Sequence, residues 1–187
     1  MSRSDAERWD ARWAALDGTT AVVPPDVLVD HDLIELVPTA GRALDVACGR
    51  GGQARWLAQR GLDVLAIDVS AHAIRLLLAD AAGDPPTTGA LDAWVHDLDA
   101  GLPTAASDVD VIVCQRFRGT ALYGSLVEAL RPGGLVVLTV LSQVGAATPG
   151  QFHAPSGELT DAFSALDVDV ILHSEADGQA SIVARRR

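Results

Sequence analysis

A short apolar stretch, a turn of glycines, and a second apolar stretch ending in an acid constrain this chain more than anything else in it. Ala43 to Ala47 is apolar except for Asp45, as a strand buried on both faces should be. Gly49, Gly51 and Gly52 follow, where a tight turn needs residues without a Cβ so that the backbone can approach a ligand. Ala54, Leu57 and Ala58 then share one helical stripe, and Gly61 reads as the C-terminal cap. Asp68 closes the next apolar strand, about 20 residues past the turn, where a carboxylate takes a ribose hydroxyl pair. In this order the pieces make one nucleoside-binding half of a doubly wound α/β sheet.

The kind of nucleoside turns on Asp45. Ala47-x-Gly49-x-x-Gly52 is a degenerate dinucleotide fingerprint, which leaves a nicotinamide-dinucleotide-binding protein as one alternative. An acid just ahead of the turn argues the other way. It repels a pyrophosphate and suits a ligand that carries a positive amine.

The rest of the chain is read as one domain over 1–187, with an N-terminal helical cap over 1–38 and the sheet core over 39–187. Ser4 and Glu7 form a capping-box pattern. Trp9 and Trp13, and Arg8 and Arg12, each stand four residues apart, so an aromatic stripe lies beside a cationic one. Either the tryptophans pack on the core and the arginines face water, or the helix covers the ligand. Pro25 opens a helix with Val29, Leu33, Leu36 and Val37 inward, ended by Pro38; His31 reads as its boundary histidine. Ser70 caps a helix with Ile74, Leu77, Leu78 and Ala81 on its core face.

Ala93 to His96 reads as an edge strand with Asp97 at its tip, where the acid either meets a nucleobase amine or caps the turn to Pro103. Val109 to Cys114 is the fourth strand, and Gln115-Arg116-Phe117 follows on the side where such sheets bind ligands. Leu122, Leu126, Ala129 and Leu130 mark a helix closed by Arg131-Pro132-Gly133-Gly134, before a strand over Leu135 to Leu141. A long loop from Ser142 to Pro155 carries Phe152 and His153. Ser156 caps a helix with Leu159, Phe163 and Leu166 inward. Val168 to His173 and Gln179 to Ala184 form a hairpin, and Arg185 to Arg187 a solvated tail.

Charge and cysteine usage exclude several classes. The net charge is −11 and all 14 basic residues are arginine, which argues against a nucleic-acid partner. Cys48 and Cys114 have no ligand-like spacing, so neither a metal site nor a disulfide framework is expected. No basic segment with an apolar core opens the chain, and Leu135 to Leu141 is too short to span a bilayer. The expectation is a cytoplasmic protein with no membrane partner, a monomer or homodimer.

Five strands alternating with helices and then a hairpin are similar to the class I S-adenosylmethionine-dependent methyltransferases. The chain resembles their tellurite-resistance-type subgroup and, more loosely, the thiopurine methyltransferases. The resemblance is carried by Arg8 to Trp13, Ala43 to Gly52, Ala66 to Ser70, Asp97 to Pro103, Ala129 to Gly134, and Pro155-Ser156-Gly157-Glu158-Leu159. It implies a Rossmann-like, mostly parallel seven-stranded sheet with a C-terminal antiparallel hairpin. It also implies S-adenosylmethionine as cofactor and a small-molecule acceptor, a thiol or a chalcogen oxyanion. Asp45, Ala47, Cys48, Gly49 and Gly51 are then expected at the amino-acid end of the cofactor and Asp68 with Val69 at the ribose. Asp97 and Leu98 are expected at the adenine, Cys114 is counted among the cofactor-binding residues, and Trp9, Arg12 and Trp13 are candidates to cover the cofactor. Gln115, Arg116, Phe117 and His153 are the acceptor-pocket candidates.

Two departures bear on the acceptor. Alanine at 47 replaces the first glycine of the loop, and the fourth-strand end, Cys114 to Gly119, lacks the aromatic residue expected just after it in close relatives. Nor is it the Asn- or Asp-Pro-Pro-aromatic tetrapeptide of enzymes that methylate nucleobase amines. A sulfonium already activates its methyl group, so the protein mainly holds donor and nucleophile in line. A thiolate or chalcogen oxyanion needs no general base, whereas a hydroxyl would need His31 or His153. A cofactor-binding protein without turnover is the other alternative.

Overall fold

The computed structural model describes residues 3–16 and 18–187, with side chains from Asp5 onward, so the pair that begins at Ser4 lies outside the described residues. The strands are β1 Arg42–Val46, β2 Asp63–Asp68, β3 Leu91–Val95, β4 Val109–Gln115, β5 Leu130–Leu141, β6 Val168–Ala176 and β7 Gln179–Arg186. They form one sheet in the order β3-β2-β1-β4-β5-β7-β6. The first five pair in parallel, and β7 runs antiparallel to both β5 and β6. The order reverses between β1 and β4, which opens a crevice at the carboxyl ends of the strands. This is the mostly parallel sheet with a terminal hairpin that the sequence predicts.

Both faces of the sheet are covered, which is why its inner strands read as apolar runs rather than alternating ones. On one face Ala43 and Val64 pack against α3 Gly52–Gln59 and α4 Ala71–Ala81 through Ala54, Leu57, Ile74 and Leu77. Leu44 and Val46 point to the other, where they join Leu126 of α5 Tyr123–Ala129 and Phe163 of α6 Glu158–Ser164. Burying Phe163 fully contributes about 1.5–3 kcal/mol. Gly61, with φ +103, lets the chain leave α3 in the left-handed region, the role its position predicts.

Several local expectations are corrected. The helix expected after Pro25 breaks into α2 Asp26–Asp30 and a 3-10 turn Ile34–Leu36, because Asp32 takes φ +56 between them. Val29 is therefore 52% exposed, and Val27 and Leu28 are buried instead. Leu78 also faces outward, one position past the buried stripe of α4. Residues 131–134 belong to β5 rather than to a separate turn, as an irregularity in its pairing with β4.

Gly157, not Ser156, precedes α6, and its φ of +80 makes the entry turn that a serine would strain to adopt. The hairpin turn shrinks to Asp177 and Gly178, both at positive φ. The supposed tail extends β7: Arg185 Nη1 donates to Gly133 O at 2.9 Å and Arg186 Nη1 to Glu128 O at 2.8 Å. No described helix is long and apolar enough to cross a membrane.

Candidate functional site

A cavity of about 1500 Å³ lies over the carboxyl ends of β1, β2, β4 and β5 and the β6–β7 turn, where the antiparallel β7 begins. Its floor at the centre is the turn after β1. Ala47 (φ +55), Gly49 (φ +53) and Gly51 (φ +71) all sit in the left-handed region, so Ala47 bears a strain its glycine equivalent would not. A Cβ at Gly49 would stand 2.7 Å from Trp13 Cζ2, so only glycine lets the indole lie on the turn.

Two carboxylates flank that turn, and they differ in kind. Asp68 is committed to the backbone: its Oδ2 accepts from Gly49 N and its Oδ1 from Ser70 N, each at 2.8 Å. Burial raises its pKa while those two amides oppose the rise. Asp45 is 2% exposed and its Oδ2 has no hydrogen-bond partner. Desolvation first, and the neighbouring charge of Asp68, push its pKa up to about 8, against the pull of the Ala54 amide. An orphaned buried acceptor facing a cavity fits a cationic donor from a ligand.

The helix α1 Arg3–Ala14 walls one side of the cavity. Asp10 docks it on α4, accepting from Ser70 Oγ at 2.5 Å and His72 N at 3.0 Å; Ser70 Oγ in turn caps Ala73 N, as the sequence predicts. Trp9 and Trp13 stack with centroids 6.2 Å apart, and Arg12 lies 5.5 Å over Trp9. Trp13 Nε1 is buried and unpartnered. Arg8 lies 5.4 Å over Phe152, joining α1 to the 142–155 loop on the far side. That loop is held by the Ser142 to Ala154 bridge and by Ala154 N donating to Leu141 O at 2.7 Å.

The far wall is built over β4, β5 and β7. Gln115 Nε2 donates to Cys114 O at 3.1 Å and Val137 O at 3.3 Å, which turns its amide along the strand ends. Arg116 takes φ +59, and its N donates to Thr139 O at 2.7 Å. Thr139 Oγ1 and Ser181 Oγ meet at 2.9 Å in the cavity wall. His153 Nδ1 accepts from Gly150 N at 2.9 Å.

Of the residues singled out in the sequence, Trp9, Arg12, Trp13, Asp45, Ala47, Cys48, Gly49, Asp68, Val69, Gln115, Arg116, Phe117 and His153 line this cavity. Gly51 sits below the turn, packed on Leu77. Asp97 caps the 3-10 turn Leu98–Ala100, its Oδ1 accepting from Asp99 N at 3.0 Å. Leu98 and Cys114 are buried in the core, outside the lining. Burial and the nearby carboxylates hold the Cys48 thiol well above its ordinary pKa, so it is a packing thiol, not a nucleophile. Thr139, Ser181 and Gln53 also line the cavity and were not singled out. Only the hydroxyls at 139 and 181, within otherwise apolar strand runs, signal them in sequence.

Comparison with known proteins follows the same ground. Residues 43–134 match the family model described as a methyltransferase domain. Comparison with curated protein sequences finds no match. Among solved structures, TehB from Haemophilus influenzae superposes with a TM-score of 0.70 at 20% identity, over 90% of this chain and 64% of that one. The chain thus spans under two thirds of TehB. A protein of echinomycin biosynthesis, where a disulfide bond becomes a thioacetal group, gives 0.67 at 20% identity, over 97% of this chain and 92% of that one. Magnesium protoporphyrin IX methyltransferase from Synechocystis PCC 6803, with bound S-adenosylmethionine, gives 0.67 at 18% identity, over 98% and 96%. At these identities the likeness is one of fold.

Proposed function

We propose, from the match of residues 43–134 to a methyltransferase-domain model, that this chain transfers a methyl group from S-adenosylmethionine to a small soft nucleophile. In this reading it works as an S-adenosylmethionine-dependent methyltransferase, on the Rossmann-like fold described above. One observation carries the cofactor's placement: β1 and α1, on either side of the turn, bring a buried unpartnered acceptor, Asp45 Oδ2, and a buried unpartnered donor, Trp13 Nε1, to residues that line the same cavity. An α-amino acid end, with one ammonium and one carboxylate, satisfies both.

In this reading Asp45, Trp13 and the Ala47 to Gly49 backbone hold the amino-acid moiety. Asp68, already fixed by two amides, presents its remaining lone pairs to the ribose hydroxyls, with Val69 beside it. The cofactor, when bound, supplies a methyl group on a sulfonium that needs no further activation. The chain's own part is to orient the two reactants and keep water out, and α1 and the 142–155 loop close over the cavity through the Arg8–Phe152 contact. A cationic amine favours the ionised form of Asp45 and a pyrophosphate opposes it, which disfavours a nicotinamide dinucleotide.

The acceptor is assigned to the wall formed by Gln115, Arg116, Phe117 and His153. His153 has one ring nitrogen engaged by the Gly150 amide, and a thiol or chalcogen oxyanion asks for no strong base there. The likeness to a protein of disulfide-to-thioacetal chemistry supports sulfur as the reacting atom. The test has two steps. Tryptophan fluorescence should saturate with S-adenosylhomocysteine and not with nicotinamide dinucleotides. Labelled S-adenosylmethionine should then mark thiols or chalcogen oxyanions in preference to phenols; binding without transfer to any of them leaves a cofactor-binding protein without turnover.

A further inference from the structure

The approach to α1 is tied down by charges that the cavity does not use. Arg50 stands between Gly49 and Gly51 in the turn, yet it is not part of the cavity lining and is only 7% exposed. Its Nη1 donates to Leu16 O at 3.4 Å and its Nη2 to Gly18 O. Arg55, from the first turn and a half of α3, donates through Nη1 to Thr20 O at 2.9 Å. Asp80 of α4 accepts from Thr20 N at 3.0 Å and stands 3.7 Å from Arg50 and 3.6 Å from Arg55. Asp84 accepts from Arg55 Nε at 2.7 Å. Three carbonyls and one amide of an irregular segment are thus gathered by two buried guanidiniums and one carboxylate.

We infer that Arg50, with Arg55 and Asp80, is a positioning residue: it clamps the segment after α1 to the glycine turn and so keeps Trp13 on the cavity. A 12-residue helix is marginal alone, so α1 stays in place only through tertiary anchors. At its middle Asp10 holds it to α4. Beyond its C-terminal end the arginine clamp holds it, one residue away from Gly49, on which Trp13 rests. The planar fork of arginine collects two carbonyls at once, which an ammonium cannot do from one position. Because Arg50 is itself part of the turn, any movement of the turn is passed to α1, and the cavity wall and floor move as one piece.

The affinity arm of the test rests on the cofactor reading above; the exchange arm does not. Hydrogen exchange is measured on the full chain and on Arg50→Gln, Arg50→Lys and Asp10→Ala, with S-adenosylhomocysteine titrated by fluorescence. Arg50→Gln should speed exchange across residues 5–14 as Asp10→Ala does, while β1, β4 and β5 keep their protection. Cofactor affinity should fall about tenfold, with Arg50→Lys recovering part of it. Trp13→Ala should cost the unaltered protein much and the Arg50→Gln protein little more. Unchanged α1 exchange in Arg50→Gln overturns the inference, and so do strictly additive losses in the double variant. Should Arg50→Gln fail to fold, Asp80→Asn, which loosens Thr20 and both guanidiniums, carries the same α1 readout. If the unaltered protein binds no S-adenosylhomocysteine, the cofactor reading fails and the exchange arm still decides the clamp.

Discussion

The two flanks of the cavity are made in different ways. Over β1 and β2, the glycine turn, Asp45 and Asp68 come from one 26-residue run of chain, Ala43 to Asp68, and the carboxylate oxygens include two fixed by local amides and one buried without a partner. Over β5 and β7, Thr139 and Ser181 are 42 residues apart and satisfy each other. The first flank is poised for one charged ligand. The second is a wall of short hydroxyls, Phe117 and Phe152, with the last of these on a loop pinned back to the end of β5. A cofactor common to many reactions suits the first kind of construction, and an acceptor that varies suits the second.

The contrast can be broken most directly at Asp45. Asp45→Asn should lose about 1.5–3 kcal/mol of S-adenosylhomocysteine affinity, read by titration, because a charge-assisted bond to the ammonium disappears. It should also change stability in the opposite sense. The folded protein keeps the Asp45 proton up to about pH 8, whereas the unfolded chain releases it near 3.8. The native state therefore binds more protons across that window, and stability falls as pH rises from the lower value to the upper one, then levels off. Thermal melts of Asp45→Asn against pH should lack this slope, and cofactor affinity of the unaltered protein should strengthen as pH approaches 8.

Asp68→Ala should weaken cofactor binding by a similar 1.5–3 kcal/mol or somewhat less. Unlike Asp45→Asn it should lower the melting temperature at every pH, because Gly49 N and Ser70 N both lose their acceptor. A cofactor-binding loss without a stability loss would mean that the two carboxylates are not different in kind. Gly49→Ala should displace Trp13 and strain the backbone by about 1–2 kcal/mol, seen as a shift in tryptophan emission and a lower melting temperature.

On the other flank, Ser181→Ala leaves Thr139 Oγ1 without its buried partner and should cost about 1–3 kcal/mol of stability. Cofactor affinity should not move, while the acceptor KM should. Ala47→Gly should do least: relief of a left-handed alanine offsets the lost methyl contact, so melts and titrations should change by under about 1 kcal/mol.

Much of the first flank is legible in sequence because its geometry is local. A strand, a turn that only small residues can make, and a strand ending in Asp68 fix where those groups lie relative to one another. The placement of Asp97 is different. The spacing is equally suggestive, yet of the two uses it allows the structure displays the local one, with Oδ1 accepting from Asp99 N at 3.0 Å to cap the turn. The break of the 25–37 helix at Asp32 escapes periodicity too, because one left-handed residue resets the phase of every later side chain.

By itself the sequence determined the doubly wound sheet, its hairpin and the acids beside the glycine turn, since apolar runs, small residues and strand-end carboxylates act over neighbouring positions. Only the tertiary structure decided that Asp45 is left unpartnered, that Trp13 rests on Gly49, and that Arg50 and Arg55 grip the segment after α1. Those facts depend on segments separated by tens of residues meeting at distances of a few ångströms, and hydrogen-bond satisfaction is decided by that meeting rather than by the order of residues along the chain.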